Sequence, residues 1–465
     1  MQRRTFLATT GSTVALAACG GGSSSTTGSG GVGSLPAAQN RFIQENLAAS
    51  DASYKAKFII RDMVSAWGIA IRPAGAGGHF WVGAGGSSWQ FVGDVRNHAN
   101  PALRTLTVDA LTRINPNVGA ASPVDASRVG NVTGVAYCGA PIWGGSVANT
   151  NFVTDATRTD PVFGKPDATT SITPAAPQLM RENGVDVVIE GGTRFAFVSD
   201  TGVLSAWSER RQDNGGVLRL NGKAQTIYDG GTNDGSAYFG IAFKPATFDK
   251  LWVADFGAAP QIRQFDAQWN LEPTTGFANP FGTGMGGAIK PGDFVPFNIH
   301  ALGSRVFVTY AKSRVSDTDV NAFFAGEEDS MDAEPEKASG FQPDRGRLVE
   351  YDSNGKVVRI YRDEKHLNAP WGVEIAPASF GAFAGSVLVG NFGGGGYITA
   401  FDSATGSFLG YLRGAEGGFV GVVGLWGLQF GNGASLGDSD ALYFAAGPEG
   451  SGPAGLFGSL RYAPK

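Results

Sequence analysis

Trp371-Gly372-Val373-Glu374, followed after a short loop by Val387-Leu388-Val389, is the stretch from which the fold can be read. The same phrase, an aromatic or polar residue, a glycine and an apolar run, recurs along the chain. It appears as Trp67-Gly68-Ile69-Ala70, Thr133-Gly134-Val135-Ala136, Phe239-Gly240-Ile241-Ala242 and Trp426-Gly427-Leu428-Gln429, with Pro296-Phe297-Asn298-Ile299 as a copy that lacks the glycine. Each copy is trailed by an alternating apolar run such as Phe80-Trp81-Val82, Phe195-Ala196-Phe197-Val198, Leu251-Trp252-Val253-Ala254, Val306-Phe307-Val308 or Leu442-Tyr443-Phe444. A pair of strands cannot bury both faces alone, so six such units predict radial closure. The expectation is an all-β chain, a six-bladed β-propeller closed by pairing of N- and C-terminal strands. Closure removes edges that would otherwise recruit other chains. Lys57-Phe58-Ile59-Ile60-Arg61 and Gly455-Leu456-Phe457-Gly458-Ser459-Leu460 are the segments expected to meet.

Further strands follow the same logic. Gln261 to Asp266, Arg347 to Asp352 and Tyr397 to Asp402 alternate and end in aromatic-Asp, where the carboxylate opens a turn by accepting backbone amides further on. The body, residues 37–465, has roughly 70 residues per blade against the ~40–45 that four short strands need. Insertions are therefore expected, one near 143–190 and one near 325–345. The first is rich in Thr, Asp and Pro, and the second is acidic.

Residues 1–19 read as an address rather than as part of the fold. Arg3-Arg4-Thr5-Phe6-Leu7 has the twin-arginine pattern, and Leu16-Ala17-Ala18-Cys19 has the form of a lipobox. Cys19 is thus the expected lipidation site, and more than one acyl chain gives firm anchoring. Residues 20–36 are a Gly/Ser linker. The expected location is the periplasm or outer membrane, as an exported, membrane-anchored lipoprotein and a monomer.

Hydrophobic residues make up 42% and charged residues 17%, the balance of a globular chain. The 70 glycines suit a chain of many short strands and tight corners. A net charge of −5 disfavours nucleic acid as a partner. With Cys19 lipidated, Cys138 has no disulfide partner and reads as a buried thiol in an apolar strand.

Leu251-Trp252-Val253-Ala254-Asp255-Phe256-Gly257 through Phe265-Asp266 resembles an NHL-type repeat of six-bladed propellers. More broadly, residues 55 to 462 are similar to an uncharacterised family of exported bacterial propellers. The match lies in Leu367-Asn368-Ala369-Pro370-Trp371-Gly372, Ala376-Pro377 with Phe380-Gly381, Leu388-Val389-Gly390-Asn391-Phe392-Gly393, and Gly424-Leu425-Trp426-Gly427 with Phe430-Gly431. The chain departs from that family in its second-blade insertion and its acidic loop. The resemblance implies the fold and carries no activity with it.

Chemistry-bearing motifs are sparse. Gly433-Ala434-Ser435-Leu436-Gly437 spells a nucleophile elbow, but it lies between two β-runs where the motif needs a strand and a helix. Gly282-Thr283-Gly284-Met285-Gly286-Gly287 spells a dinucleotide loop, but Pro291 forbids the helix that would follow. His79, His98, His300 and His366 lack zinc-ligand spacing. No cofactor and no metal is expected, although the acidic loop (Glu327, Glu328, Asp329, Asp332) has the oxygen ligands calcium takes. Calcium-dependent six-bladed hydrolases such as lactonases carry Glu, Asn and Asp at the channel-facing starts of inner strands. Here those starts offer Asn298 as such a ligand, with Asn368 three residues from its strand. What the starts do hold is aromatic: Trp67, Phe239, Phe297, Trp371 and Trp426. These residues either pack between blades or, with Asn298 and Asn368, line a channel mouth suited to a sugar or an apolar small molecule. The expected function is a binding or interaction module for a protein or small ligand. The alternative is a hydrolase or lyase at the channel, with or without calcium, using Asn298, Asn368, Asp200 or Asp255.

Overall fold

The computed structural model describes residues 39–114, 130–140, 151–155, 179–182, 185–188, 190–211, 217–219, 224–315, 323–324, 342–448 and 454–464. Arg3, Arg4, Cys19, the 20–36 linker, the acidic residues near 325–341 and most of the 143–190 insertion lie outside the described residues.

Six antiparallel sheets form the ring. Blade 1 runs outward through Ala66–Ala70, Phe80–Ala84, Ser87–Val92 and Thr107–Ile114. Blade 2 uses Val132–Tyr137, Glu190–Ser199, Val203–Arg211 and Gln225–Asp229. Blades 3, 4 and 5 start at Tyr238–Phe243, Phe294–Leu302 and Pro370–Ile375 and have four strands each. Blade 6 takes Leu425–Phe430, Ala441–Ala446 and Leu456–Tyr462 from the C-terminal end, and Phe42–Ala49 from the N-terminal end completes it. The antiparallel register runs from Phe42 opposite Tyr462 to Ala49 opposite Leu456. The ring is thus closed by the two ends of the chain, as expected, but with an earlier segment than Lys57–Arg61. Phe58–Ile59 sits one position further out, pairing parallel with Ala48 and Ala49. The reason is burial: Ile43, Gln44 and Glu45 are all exposed and Asn46 is half-buried, so the true closing strand lacks the apolar alternation that marks a strand in sequence.

The core is divided as the ring demands. Six apolar clusters each fill one gap between neighbouring blades, for example Trp81 with Phe195 and Trp207 between blades 1 and 2. A seventh lies on the axis. The three aromatic-Asp turns form as read: Asp266 accepts the Gln268 and Asn270 amides, Asp352 those of Asn354 and Lys356, and Asp402 those of Ala404 and Thr405. Within the long second-blade insertion, Val153–Asp155 pairs with Glu190–Gly192, and Leu179–Glu182 forms a ribbon with Val185–Val188.

The recurring phrase has a structural meaning. In every blade the pairing of inner strand to second strand slips by one residue at that step: Trp67-Gly68, Thr133, Phe239, Phe297, Trp371-Gly372 and Trp426-Gly427. Each phrase is a β-bulge, which bends the strand and re-aims the side chains beyond it.

Candidate functional site

The glycines of the phrase are where inner strands approach one another around the axis. A Cβ on Gly427 would strike the Trp67 carbonyl oxygen of blade 1, and one on Gly372 would come within 2.6 Å of the Trp426 carbonyl oxygen of blade 6. Asn298 occupies the equivalent place in blade 4, against Gly240, which leaves the space its amide needs. Asn298 Nδ2 donates to the Trp371 carbonyl at 3.0 Å, and its Oδ1 accepts the Ile299 amide at 2.8 Å. One polar side chain thus joins blades 4 and 5 where glycine contact serves elsewhere.

At one end of the axis the aromatics named from sequence pack on each other. Trp67 stacks on Trp426 at 3.6 Å between ring centres, Phe392 stacks on the same indole at 3.9 Å, and Phe239 lies 5.4 Å from Phe297. Trp371 meets Trp426 edge-on and donates its Nε1–H to the Phe239 carbonyl at 2.9 Å. Trp67, Phe239, Phe297, Trp371 and Trp426 are each 3–6% exposed. They form an axial plug.

At the other end the axis opens into a cavity of about 680 Å³, lined from all six inner strands. The residue three places beyond each aromatic (or, in blade 2, the threonine) lines it: Ala70, Ala136, Ala242, His300, Glu374 and Gln429 in blades 1 to 6. Three consecutive blades supply methyl groups and the next three supply hydrogen-bonding groups. Gln429 Nε2 donates to Glu374 Oε1 at 3.0 Å. Burial pushes the Glu374 carboxyl up to about 8, against the pull of the Ile375 and Phe430 backbone amides. Burial likewise pulls His300 down to about 4, with the Trp371 carbonyl opposing it only in part. His300 Nε2 stands 2.6 Å from Asn298 Nδ2. The same nitrogen stands 3.2 Å from the Trp371 carbonyl; the nearer contact is with an amide nitrogen, which only donates, so in the neutral ring Nε2 accepts from Asn298 and the proton sits on Nδ1. At the rim, Arg72 pairs with Glu209 at 2.6 Å, and its Nε, under Gly78, has no hydrogen-bond partner among the described residues.

No family model matches the chain. Two uncharacterised proteins of Acanthamoeba polyphaga mimivirus are similar to it, one 29% identical over 229 residues (49% of this chain and 52% of the relative), the other 30% identical over 180 residues (39% of each). The chain therefore spans about half the length, or less, of the curated relatives it matches. Among solved structures, the WD40 domain of Neurospora crassa Pan2 aligns with 90% of this chain and 96% of its own length at 9% identity and a TM-score of 0.35. U3-55K aligns with 85% and 95% at 10% identity and a TM-score of 0.34. The blade count and closure rest on the strand pairing of this chain itself.

The other sequence candidates have structural partners. Asp200 accepts the Asn131 amide at 2.7 Å, Asp255 that of Ala237 at 2.9 Å, and Asn391 that of Asn368 at 2.8 Å. Each thus ties the end of a second strand to the entry of its own inner strand. Asp255 is fully buried and also holds Arg263 at 2.6 Å, which opposes the upward push of burial on its carboxyl. The Gly433–Gly437 turn is capped by Asn432, whose Oδ1 accepts the amides of Ala434, Ser435 and Leu436. In the Gly282–Gly287 loop, Asp293 takes the Thr283 and Lys290 amides, putting an anion where a phosphate would have to sit. His366 stacks on Phe408 at 4.1 Å in blade 5. In the sequence His300 stands out only as one of four histidines without zinc-ligand spacing, and Glu374 and Gln429, which close two of the quoted phrases, carry no motif of their own.

Proposed function

We propose that the protein is a non-enzymatic binding module of a bacterial cell envelope, tethered through lipid on Cys19, which takes a small ligand in the axial cavity. The observation that carries this reading is the axial cavity itself: walls drawn from all six inner strands, largely apolar, with a few convergent polar groups, the form of a small-molecule site. Its volume falls in the range that accommodates drug-sized ligands. The tether and the export route draw on Arg3-Arg4 and on Leu16-Ala17-Ala18-Cys19, together with the resemblance to exported NHL-like propellers.

A second reading has one observation in its favour. Glu374 is a carboxyl poised near neutrality, with His300 on the neighbouring blade, which is the equipment of a general acid in a hydrolase or lyase.

The test is to purify the full chain, denature it and identify released small molecules by mass spectrometry, beside Ala242→Trp, which fills the cavity. Wild type should release a stoichiometric compound that Ala242→Trp lacks while still melting cooperatively. Equal yields from both proteins would remove the cavity from the function. Conversion of the released compound on incubation with fresh protein would favour the enzyme.

A further inference from the structure

The cavity is two-faced, and its two halves follow blade order. Ala70, Ala136 and Ala242 stand on blades 1, 2 and 3, while His300, Glu374 and Gln429 stand on blades 4, 5 and 6. We propose that this cavity selects an uncharged small molecule with one apolar face, laid against the alanine wall, and one edge bearing oxygen acceptors, read by His300 and Glu374, with Gln429, whose amide donates to Glu374 and to the Phe430 carbonyl, holding the carboxyl in place. The inference rests on the cavity being the ligand site and adds the chemical class.

The selection against charge follows from the titratable groups that line the site: Arg72 on blade 1, Tyr137 on blade 2, His300 on blade 4 and Glu374 on blade 5. Among the described residues, blades 3 and 6 contribute none. Arg72 is already neutralised by Glu209, whose side chain is 1% exposed. A ligand carboxylate would therefore be desolvated without a counter-ion, and an ammonium would gain one only by driving the proton off Glu374, so both are disfavoured.

The donors define the edge. His300 Nε2 is occupied by Asn298, so Nδ1–H is the remaining donor of that ring. At neutral pH Glu374 keeps its proton and donates an O–H while Oε1 accepts from Gln429. Two donors side by side on blades 4 and 5 suit a carbonyl, lactone or ether oxygen. The small alanine side chains opposite leave room for a flat face. Once Glu374 ionises, the donor becomes an anion facing the ligand's acceptor, so affinity falls as pH rises through about 8.

The test uses a matched series on one ring, cinnamamide (neutral), cinnamate (anionic) and cinnamylamine (cationic), with coumarin as a second neutral probe. Binding to the full chain is measured by saturation-transfer NMR titration at pH 7 and pH 9.5. Cinnamamide and coumarin should bind at least tenfold more tightly than either charged analogue at pH 7, and more than tenfold more weakly at pH 9.5. In Glu374→Gln the ratio between the two pH values should fall to near one, and Gln429→Leu should weaken both neutral probes. Charged analogues that bind as well as cinnamamide, yet are excluded by Ala242→Trp, would overturn the chemical class and leave the cavity reading standing. Binding indifferent to Ala242→Trp, with cooperative melting retained, would sink the cavity reading as well. Failure of both neutral probes at millimolar concentration would overturn the inference.

Discussion

Glu374 and His300 carry opposite pH signatures because the same burial acts on an acid and on a base. For Glu374 the folded carboxyl titrates near 8 against an ordinary value of 4.5, so between those values the folded state holds a proton that the unfolded chain has lost. Stability is then greatest below about 4.5, falls as pH rises and levels off above about 8. For His300 the folded ring titrates near 4 against 6.5, so its contribution is complete above 6.5 and is lost as pH falls toward 4. Replacing Glu374 by Gln removes the first slope and leaves the second. Urea unfolding of Glu374→Gln should therefore show a gain over wild type at pH 8, on the order of a few kcal/mol. At pH 4.5 the gain should shrink toward zero. A gain of equal size at both pH values would mean that the carboxyl titrates normally and that its burial is misassigned. Asn298 makes the local cost intelligible: its amide fixes His300 through Nε2 and satisfies the Trp371 carbonyl, so a neutral imidazole can stay in place with little water about it.

Among the elements, the closing strand shows how the ends of the chain are locked once they meet. Arg461, on the last strand, donates to Asp94 Oδ2 at 2.6 Å, and the Tyr443 hydroxyl donates to the same oxygen at 2.6 Å. Asp438 lies 3.4 Å from Arg461, and Glu45, on the N-terminal strand, lies 3.6 Å from it. The Asp94 side chain is 7% exposed, so Arg461→Met should strand a buried carboxylate and cost about 3–5 kcal/mol, while Asp94→Asn in the same chain should recover much of the loss. The check is a double-mutant cycle by urea denaturation. Additive losses would show that the two groups are not coupled. The strands that sequence reveals and those it hides differ in the same physical way. Inner and second strands are buried on both faces and announce themselves by apolar runs, and third strands by their aromatic-Asp turns. Phe42–Ala49 and Val357–Ile360 are the fourth strands of their blades, half solvated, and carry little pattern. The cavity was hidden for another reason. Alternation alone would place the residue three beyond an aromatic on the opposite face. The bulge at the intervening step overturns that parity, and a bulge has no apolar signature of its own.

At the scale of the whole molecule, a closed ring makes each blade depend on two neighbours and on the axial plug. Cys138, at the end of the inner strand of blade 2, offers a way to measure that dependence. It is fully buried, and burial pushes its thiol up to about 11, so native labelling at pH 8 is suppressed both by access and by ionisation. To expose it, blade 2 must part from blade 3, with which it shares the cluster of Phe152, Leu204 and Phe243, and the loss propagates to the neighbouring gap with blade 1. If the ring behaves as one cooperative unit, labelling of a Cys19→Ser chain should require global unfolding. The denaturant slope of the labelling free energy would then match the slope from equilibrium unfolding. Deleting residues 42–49 opens the outer edge of the Leu456–Tyr462 strand, which keeps its pairing with Ala441–Ala446, at the seam between blades 6 and 1. Blade 2 lies beyond blade 1 from that seam, with none of its own contacts removed. Faster labelling of Cys138 in the deleted chain, by at least tenfold, would therefore report coupling carried around the ring. A shallow denaturant slope in the intact chain, or labelling unaffected by the deletion, would show that blade 2 opens by itself and that closure stabilises only the blade it completes.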